Sequence, residues 1–318
     1  VMTLPHELNE IIYVNQKALY GLLHQSLSQA ILELSRDEKY LGGTPGIIQV
    51  LHTWDQELKY HVHIHAIVTG AGMTKDENLV YVKSDNFFIP VHVLSKVVRG
   101  KFMEKLMYMY DNDALNLTGT ASKFNNYYEW KELVNKLYST NWNSYVKETF
   151  NGKGNAIEYL ARYTNKVGIG NSRIVSVSES QVVFTARGSD NKQSRTIKLS
   201  TEEFVGRFLM HVLPKGFQKV RYYGFLANGC KKEKIEKIRS IQGGRTLFQH
   251  KYKKPTESEV LRVEFNVDVH RCPKCKTGKM VVIDDVEGFL SYTYIPAGKK
   301  KKQRCSNHKS RNKPRKAC

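Results

Sequence analysis

The run Tyr60-His-Val-His-Ile-His-Ala-Ile-Val68 narrows the folds open to this chain more than any other stretch. Side chains alternate between the two faces of a strand. His61, His63 and His65 therefore share one face, while Val62, Ile64 and Ala66 share the other. The aliphatic row suits a core. A row of imidazoles opposite it either hydrogen-bonds to partners beneath a covering layer or holds a metal, for which histidine is the commonest ligand. The preceding Gly46-Ile-Ile-Gln-Val-Leu-His-Thr-Trp54 is also rich in Ile and Val and bounded by breakers, so residues 46–68 read as two strands.

Around this unit the periodicity alternates between helix and strand. Residues 1–5 suggest a short strand ending at Pro5. Residues 15–37 carry a helical apolar face of Ala18, Leu19, Leu22, Leu23, Leu27, Ile31 and Leu34. A brief strand is expected at 79–82 and a helix at 91–110. A helix or helix pair is expected at 127–150, with Trp130, Leu133, Leu137 and Tyr145 in the core. Asn151-Gly-Lys-Gly-Asn155 breaks that run, and a new helix is predicted over 156–167. There Tyr159 and Tyr163 stand four apart on one face, in the polar company of Arg162, Thr164, Asn165 and Lys166, which a core face would not normally keep. Residues 172–177 and 181–186 read as a hairpin, with a third strand at 194–199. Ser200 and Glu203 form a helix-start signal for 204–213. The fold class is α+β, an antiparallel sheet flanked by helices.

Fifty basic against 30 acidic residues give a formal charge of +20, which favours a polyanionic partner, most simply nucleic acid. A membrane partner is disfavoured, because no apolar run approaches the roughly 18 residues of a spanning helix. Lys219-Val-Arg-Tyr-Tyr-Gly224 interleaves cations with aromatics, a pattern suited to phosphate contact and base stacking through Lys219, Arg221 and Tyr222. The chain opens at Val1-Met2 without a visible secretory signal, as a fragment lacking an upstream segment would. The five cysteines cluster late and odd in number, which points to a reducing, cytoplasmic setting, associated with the nucleoid if the partner is DNA. Cys272-Pro-Lys-Cys275 is half of a zinc site, with Cys305, His308 and Cys318 available to complete it. From Lys299 onward there are ten basic residues and no acidic one, a tail expected to be disordered when free.

These parts fit one chemistry. A tyrosine hydroxyl can take a phosphoryl group from a phosphodiester. A divalent ion held by two imidazoles and one further ligand would offset the charge on the phosphate oxygens, with Mn²⁺ suiting imidazole better than Mg²⁺. A lysine one turn from the tyrosine would lower its pKa.

His63-Ile-His65 resembles the His-hydrophobe-His motif of HUH endonucleases. Leu51-His-Thr-Trp54, Tyr60-His-Val-His-Ile-His65, Tyr159-Leu-Ala-Arg-Tyr163, Phe208-Leu-Met-His-Val-Leu-Pro-Lys-Gly-Phe217 and Arg221-Tyr-Tyr-Gly-Phe-Leu-Ala-Asn228 resemble the insertion sequence ninety-one family of bacterial transposases, as does the Cys-Pro-x-Cys at 272–275. The resemblance implies a nickase for single-stranded DNA acting at element ends and target by a rolling-circle-like route. It implies His63 and His65 as ligands of Mg²⁺ or Mn²⁺, and Tyr163 and Tyr159 as nucleophiles. Lys166 would assist in a Tyr-x-x-Lys motif, and Arg162 would sit among the DNA contacts. The third ligand does not follow from the motif: His52, Gln49 and Asn165 are the candidates, with His61 as an outer partner. The implied organisation is a catalytic domain at 1–225, a basic region with a zinc knuckle at 226–298 and the tail at 299–318. A replication initiator or relaxase, a non-catalytic DNA-binding remnant, and an RNA-binding protein with a zinc knuckle are the competing readings.

Overall fold

In the computed structural model, which describes residues 1–82, 89–142, 144–146, 168–187, 194–243, 256, 258, 262, 268–272, 274–286 and 289–295, the chain forms two compact units, Val1–Arg245 and Thr246–Cys318. The first unit opens with strand β1 (Met2–Thr3), a short helix α1 (Asn9–Val14) and the long helix α2 (Gln16–Arg36). Strands β2 (Thr44–Trp54) and β3 (Tyr60–Met73) follow, joined by the turn 55–59, and then the brief β4 (Leu79–Tyr81). Helices α3 (Val91–Asp111) and α4 (Tyr127–Ser139) come next. After 168, β5 (Ile174–Val177), β6 (Gln181–Arg187) and β7 (Ser194–Ser200) precede helix α5 (Thr201–Leu209), strand β8 (Val220–Gly224) and helix α6 (Lys231–Ile241). In the second unit, β9 (Lys279–Val286) and β10 (Phe289–Ile295) form an antiparallel hairpin.

The architecture is α+β with antiparallel sheets flanked by helices. The main sheet runs β1-β3-β2-β8, with β4 on the far end of β3, and every pairing is antiparallel. One face carries Leu51, Val62 and Ile64 into a core completed by Leu19, Leu23, Leu27 and Ile31 of α2 and by Val98, Phe102 and Leu106 of α3. Within the long helix, Leu19, Leu22, Leu23, Leu27 and Ile31 are buried as the periodicity requires, but Ala18 is exposed because it lies off the inward stripe. Instead the inward stripe takes Tyr20 and His24, whose polar tips find partners in the core.

Two expected helices end early. The one begun at Tyr127, whose first turn is capped by the Asn126 side chain, stops at Ser139, where Thr140 turns extended and Arg99 takes the carbonyl oxygens of Tyr138 and Thr140. Trp130, Leu133 and Leu137 are buried as expected, but Tyr145 lies beyond the helix and is exposed. Helix α5 starts on its Ser200 cap, which accepts from the Glu203 amide, and ends at Leu209 rather than 213. The strands expected at 172–199 form a separate three-stranded sheet, β5-β6-β7, packed around Phe184 and Leu199. Strand β8 joins the main sheet through Gly224, which sits at φ +63° with a Cβ position only 1.7 Å from the Pro45 carbonyl oxygen, so no other residue fits there. The helix expected at 156–167 lies outside the described residues. No helix among the described residues is long and apolar enough to cross a membrane.

Candidate metal centre

The alternation along β3 places its histidines as the sequence requires, and the pairing with β2 supplies the missing partner. His52 is directly opposite His63 in the antiparallel register, and opposed residues share a face. His52, His63 and His65 thus converge, with their ligand nitrogens all within 4.8 Å of one another. The ring centroids of His52 lie 4.6 Å from His65 and 5.4 Å from His63, and His63 lies 5.1 Å from His65. His52 and His65 are buried and His63 partly so.

The His63 ring is oriented by its own strand. Its Nδ1 lies 2.8 Å from the carbonyl oxygen of His61; a carbonyl only accepts, so Nδ1 carries the proton and Nε2 presents its lone pair. That arrangement, one ring nitrogen bound to a fixed acceptor and the other free to coordinate, is the usual support of a ligating histidine. Burial pushes the His63 pKa down to about 3, with the neighbouring His52 acting in the same direction and the His61 carbonyl partly opposing it. The ring is therefore neutral at ordinary pH, the form that binds a metal. His61, at the solvent side of the row, is also pushed down by burial, with Asp55 opposing. Three imidazoles would suit a transition ion such as Mn²⁺ and would leave positions for a further ligand. The donor set fits a divalent metal.

Gln49 does not join them. It stands on the opposite face, opposed to Ala66 and Arg221, with its side-chain amide 2.8 Å from His24 Nδ1. The third-ligand candidates within the described residues thereby reduce to His52. Asn165, Tyr159, Arg162, Tyr163 and Lys166 lie outside the described residues. Tyr20 and Tyr60, in the core beside α2, are poor nucleophiles: their hydroxyls lie 2.5 Å apart, and burial pushes both pKa values up, that of Tyr20 to about 12.

The cations of the β8 region divide between the faces. Lys219 lies with its Nζ 5.1 Å from the centre of the Trp54 ring, and Trp54 in turn stacks on His52 at 4.8 Å. Tyr222, opposed to Ile48 on the histidine side, receives Lys231 over its ring at 5.2 Å. Arg221 instead turns to α2, beside Gly21 and over Phe217.

In the second unit, Cys272 is buried and Cys275 exposed, and the Gly278 amide donates to Cys275 Sγ at 3.3 Å. Cys305 and His308 lie outside the described residues.

His211 carried no sequence signal as a site residue, yet it reaches the turn between the two histidine strands. Its Nε2 lies 3.1 Å from the Leu58 carbonyl oxygen and its Nδ1 3.2 Å from Thr53 Oγ1. Only its place in the Phe208–Phe217 phrase could have drawn attention to it.

Comparison with known proteins bears on this site. Residues 46–234 match the family model Y2_Tnp, described as "Putative transposase". The chain is 32% identical over 292 residues to "Putative transposase y4qJ" of Sinorhizobium fredii, covering 91% of this chain and 73% of that protein. It is 26% identical over 294 residues to "Transposase for insertion sequence element IS801" of Pseudomonas savastanoi pv. phaseolicola, covering 91% of this chain and 68% of that one. No solved structure matches the chain.

Proposed function

This chain belongs to the Y2_Tnp family of transposases, the insertion sequence ninety-one type, and on that premise we propose that it nicks and rejoins single-stranded DNA through a phosphotyrosine beside a divalent metal at His52, His63 and His65. A transposase acts on DNA, and the formal charge of +20 suits that partner. The observation that carries the finer reading is the convergence of three imidazoles on one sheet face, inside the span that matches the family model. When bound, the ion would supply Lewis-acid stabilisation of charge on the scissile phosphate.

Tyr163 Oη forms a bond to phosphorus as the bond from phosphorus to the 3′ oxygen breaks. The phenolic proton leaves, the 3′ oxygen gains one, and the strand is left as a 5′-phosphotyrosine and a free 3′-hydroxyl. Tyr159, four residues away, repeats the step on a second strand for transfer. Lys166 favours the phenolate of Tyr163. Arg162 contacts the strand, and Lys219 and Tyr222 bind and stack it on the histidine side, whereas Arg221 acts from the helix side of β8. What supports the tyrosine assignment is the sequence spacing together with the chain path. Gly168 is packed against Trp54 of β2 and Leu58 of the β2–β3 turn, and Tyr163 is five residues upstream, a reach of at most about 18 Å. The same proposal gives Cys272 and Cys275, with Cys305 and His308, a structural zinc ion.

The test is incubation with labelled single-stranded oligonucleotides from the element ends and Mn²⁺ or Mg²⁺, followed by a denaturing gel. A slow-migrating covalent adduct is expected, lost in Tyr159→Phe/Tyr163→Phe, in His63→Ala and on chelation, with the single tyrosine variants identifying the first nucleophile. DNA binding without an adduct under all metals would mark the chain as a non-catalytic DNA-binding relic, and preference for structured RNA would overturn the reading altogether.

A further inference from the structure

The turn that joins the two histidine strands is held from outside by side chains far along the chain. Three consecutive carbonyl oxygens of that turn are each taken by a different donor. Arg173 Nη2 donates to Gln56, Arg207 Nη1 to Glu57 at 3.0 Å, and His211 Nε2 to Leu58 at 3.1 Å. Since Nε2 of His211 carries the proton, its Nδ1 accepts from the buried hydroxyl of Thr53, the residue next to His52. Arg195 adds an ion pair to the Glu57 carboxylate. Leu58 itself is fully buried among Ile169, Phe184 and Leu199 at φ +60°, a left-handed backbone that a leucine adopts only when its surroundings impose it. The donors come from the small sheet and from the segment around α5: Arg173 also donates through Nε to the Thr185 carbonyl of β6 at 2.7 Å.

This grip falls where the hairpin is least able to hold itself. The β2–β3 register is regular from Ile47 to His52, then shifts between His52 and Trp54, immediately beside the proposed ligand. A bulge leaves an unpaired residue and a ladder that does not enforce its own alignment, and a slip of one residue would send His52 to the opposite face. The turn is thus the element whose geometry decides whether His52 meets His63.

We propose that Arg173, Arg207 and His211 are positioning residues of the histidine centre, holding the β2–β3 turn so that His52 stays in register with His63 and the three imidazoles keep the spacing a divalent ion requires. This rests on the metal reading of the same site. Outer partners that orient ligands typically change metal affinity by about 10- to 100-fold when removed.

The test is titration of the full chain with Co²⁺, followed by its visible absorption, for the parent and for His211→Ala, Arg207→Ala, His211→Gln and His63→Ala, with thermal melting of each metal-free form. The parent binds with a spectrum that His63→Ala loses. His211→Ala and Arg207→Ala weaken binding by about tenfold or more and alter the ligand-field bands, whereas His211→Gln, which can still donate to the Leu58 carbonyl, recovers most of the affinity and the parent spectrum. A purely structural role would lower the melting temperature without changing the bands of the bound ion. Parent-like affinity and spectrum in folded His211→Ala and Arg207→Ala would overturn the positioning role. If His211→Ala does not fold, Arg207→Ala and the glutamine variant decide. Absence of Co²⁺ binding by the parent would instead sink the metal reading itself, so the two failures are told apart.

Discussion

His24 and His63 are both buried imidazoles, yet they stand on opposite sides of one sheet and respond to different demands. His63 faces two other histidines with its Nδ1 fixed on a carbonyl oxygen. His24 lies in the α2 core against Gln49 and beneath Phe217, and burial, aided by the nearby Arg221 cation, pushes its pKa down to about 4 while the Gln49 contact partly opposes this. A metal role for His24 is unnecessary, since its cost is that of keeping an uncharged ring in a core. The consequence is a defined pH dependence of stability. The folded-state pKa lies below the unfolded value, so the neutral form is the one that folding favours. Its contribution is complete above about pH 6.5 and is lost as the pH falls from there to about 4, a change of about 3 kcal/mol. Denaturant melts of the parent and of His24→Gln between pH 7 and 4 should therefore converge, with the variant losing less stability over that window. Parallel curves would show that His24 is protonated in the folded state as readily as in the unfolded one.

At the scale of elements, the hairpin β2–β3 is both the core of the main sheet and the carrier of the centre, and its turn is where these roles meet. Leu58 fills the small sheet's core from a left-handed backbone position. Leu58→Ala should destabilise by about 2–4 kcal/mol, the usual cost of an emptied core site. Leu58→Gly removes more side chain but relieves the left-handed strain, worth about 1 kcal/mol, so it should be no less stable than the alanine variant. A glycine variant clearly worse in chemical denaturation would show that the positive φ carries no strain. Much of this hairpin is legible in the sequence: period two along 60–68 divides histidines from aliphatics, and the helical stripes of 16–36 and 91–111 follow from their spacing. The choice of His52 over Gln49 is not legible, because it depends on cross-strand register, which no local pattern states. Period two within β2 separates these residues by face, but which face meets the β3 histidines emerges only once the strands are paired. The grip on the turn is still further from view, since Arg173, Arg207 and His211 lie 117 to 153 residues from the carbonyls they reach. Tyr145 and Ala18 misled for a simpler reason: apolar or aromatic character at about the right spacing is only a propensity for burial, and Tyr145 lies past the end of α4 while Ala18 lies off the inward stripe of α2.

For the whole molecule, the question is how its charge is divided between recognition and chemistry. The histidine centre, both hydrophobic clusters and the cations near Trp54 and Tyr222 all lie within Val1–Arg245. Residues 299–318 hold ten basic side chains and no acidic one, against a formal charge of +20 for the whole chain. Charges of this kind raise affinity for any nucleic acid through counterion release, without selecting a sequence or a phosphodiester. On that division, a chain whose ten Lys and Arg residues in 299–318 are replaced by Gln, with Cys305 and His308 kept, should keep the chemistry and lose much of the salt-sensitive affinity. For single strands each phosphate contact contributes about −0.7 to the slope of log affinity against log salt. Removal of these charges should therefore flatten that slope by at least about 2, a loss equivalent to three or more contacts. Fluorescence anisotropy with a single-stranded oligonucleotide across 50–300 mM salt measures the slope, and the denaturing gel at low salt and saturating DNA measures the adduct. An unchanged slope would mean that the tail does not engage the strand, leaving Lys219, Lys231 and their neighbours as the main phosphate contacts. A flattened slope with the adduct intact would assign attraction to the C-terminal charge and bond-making to the sheet, two functions that this chain keeps in different parts of its length.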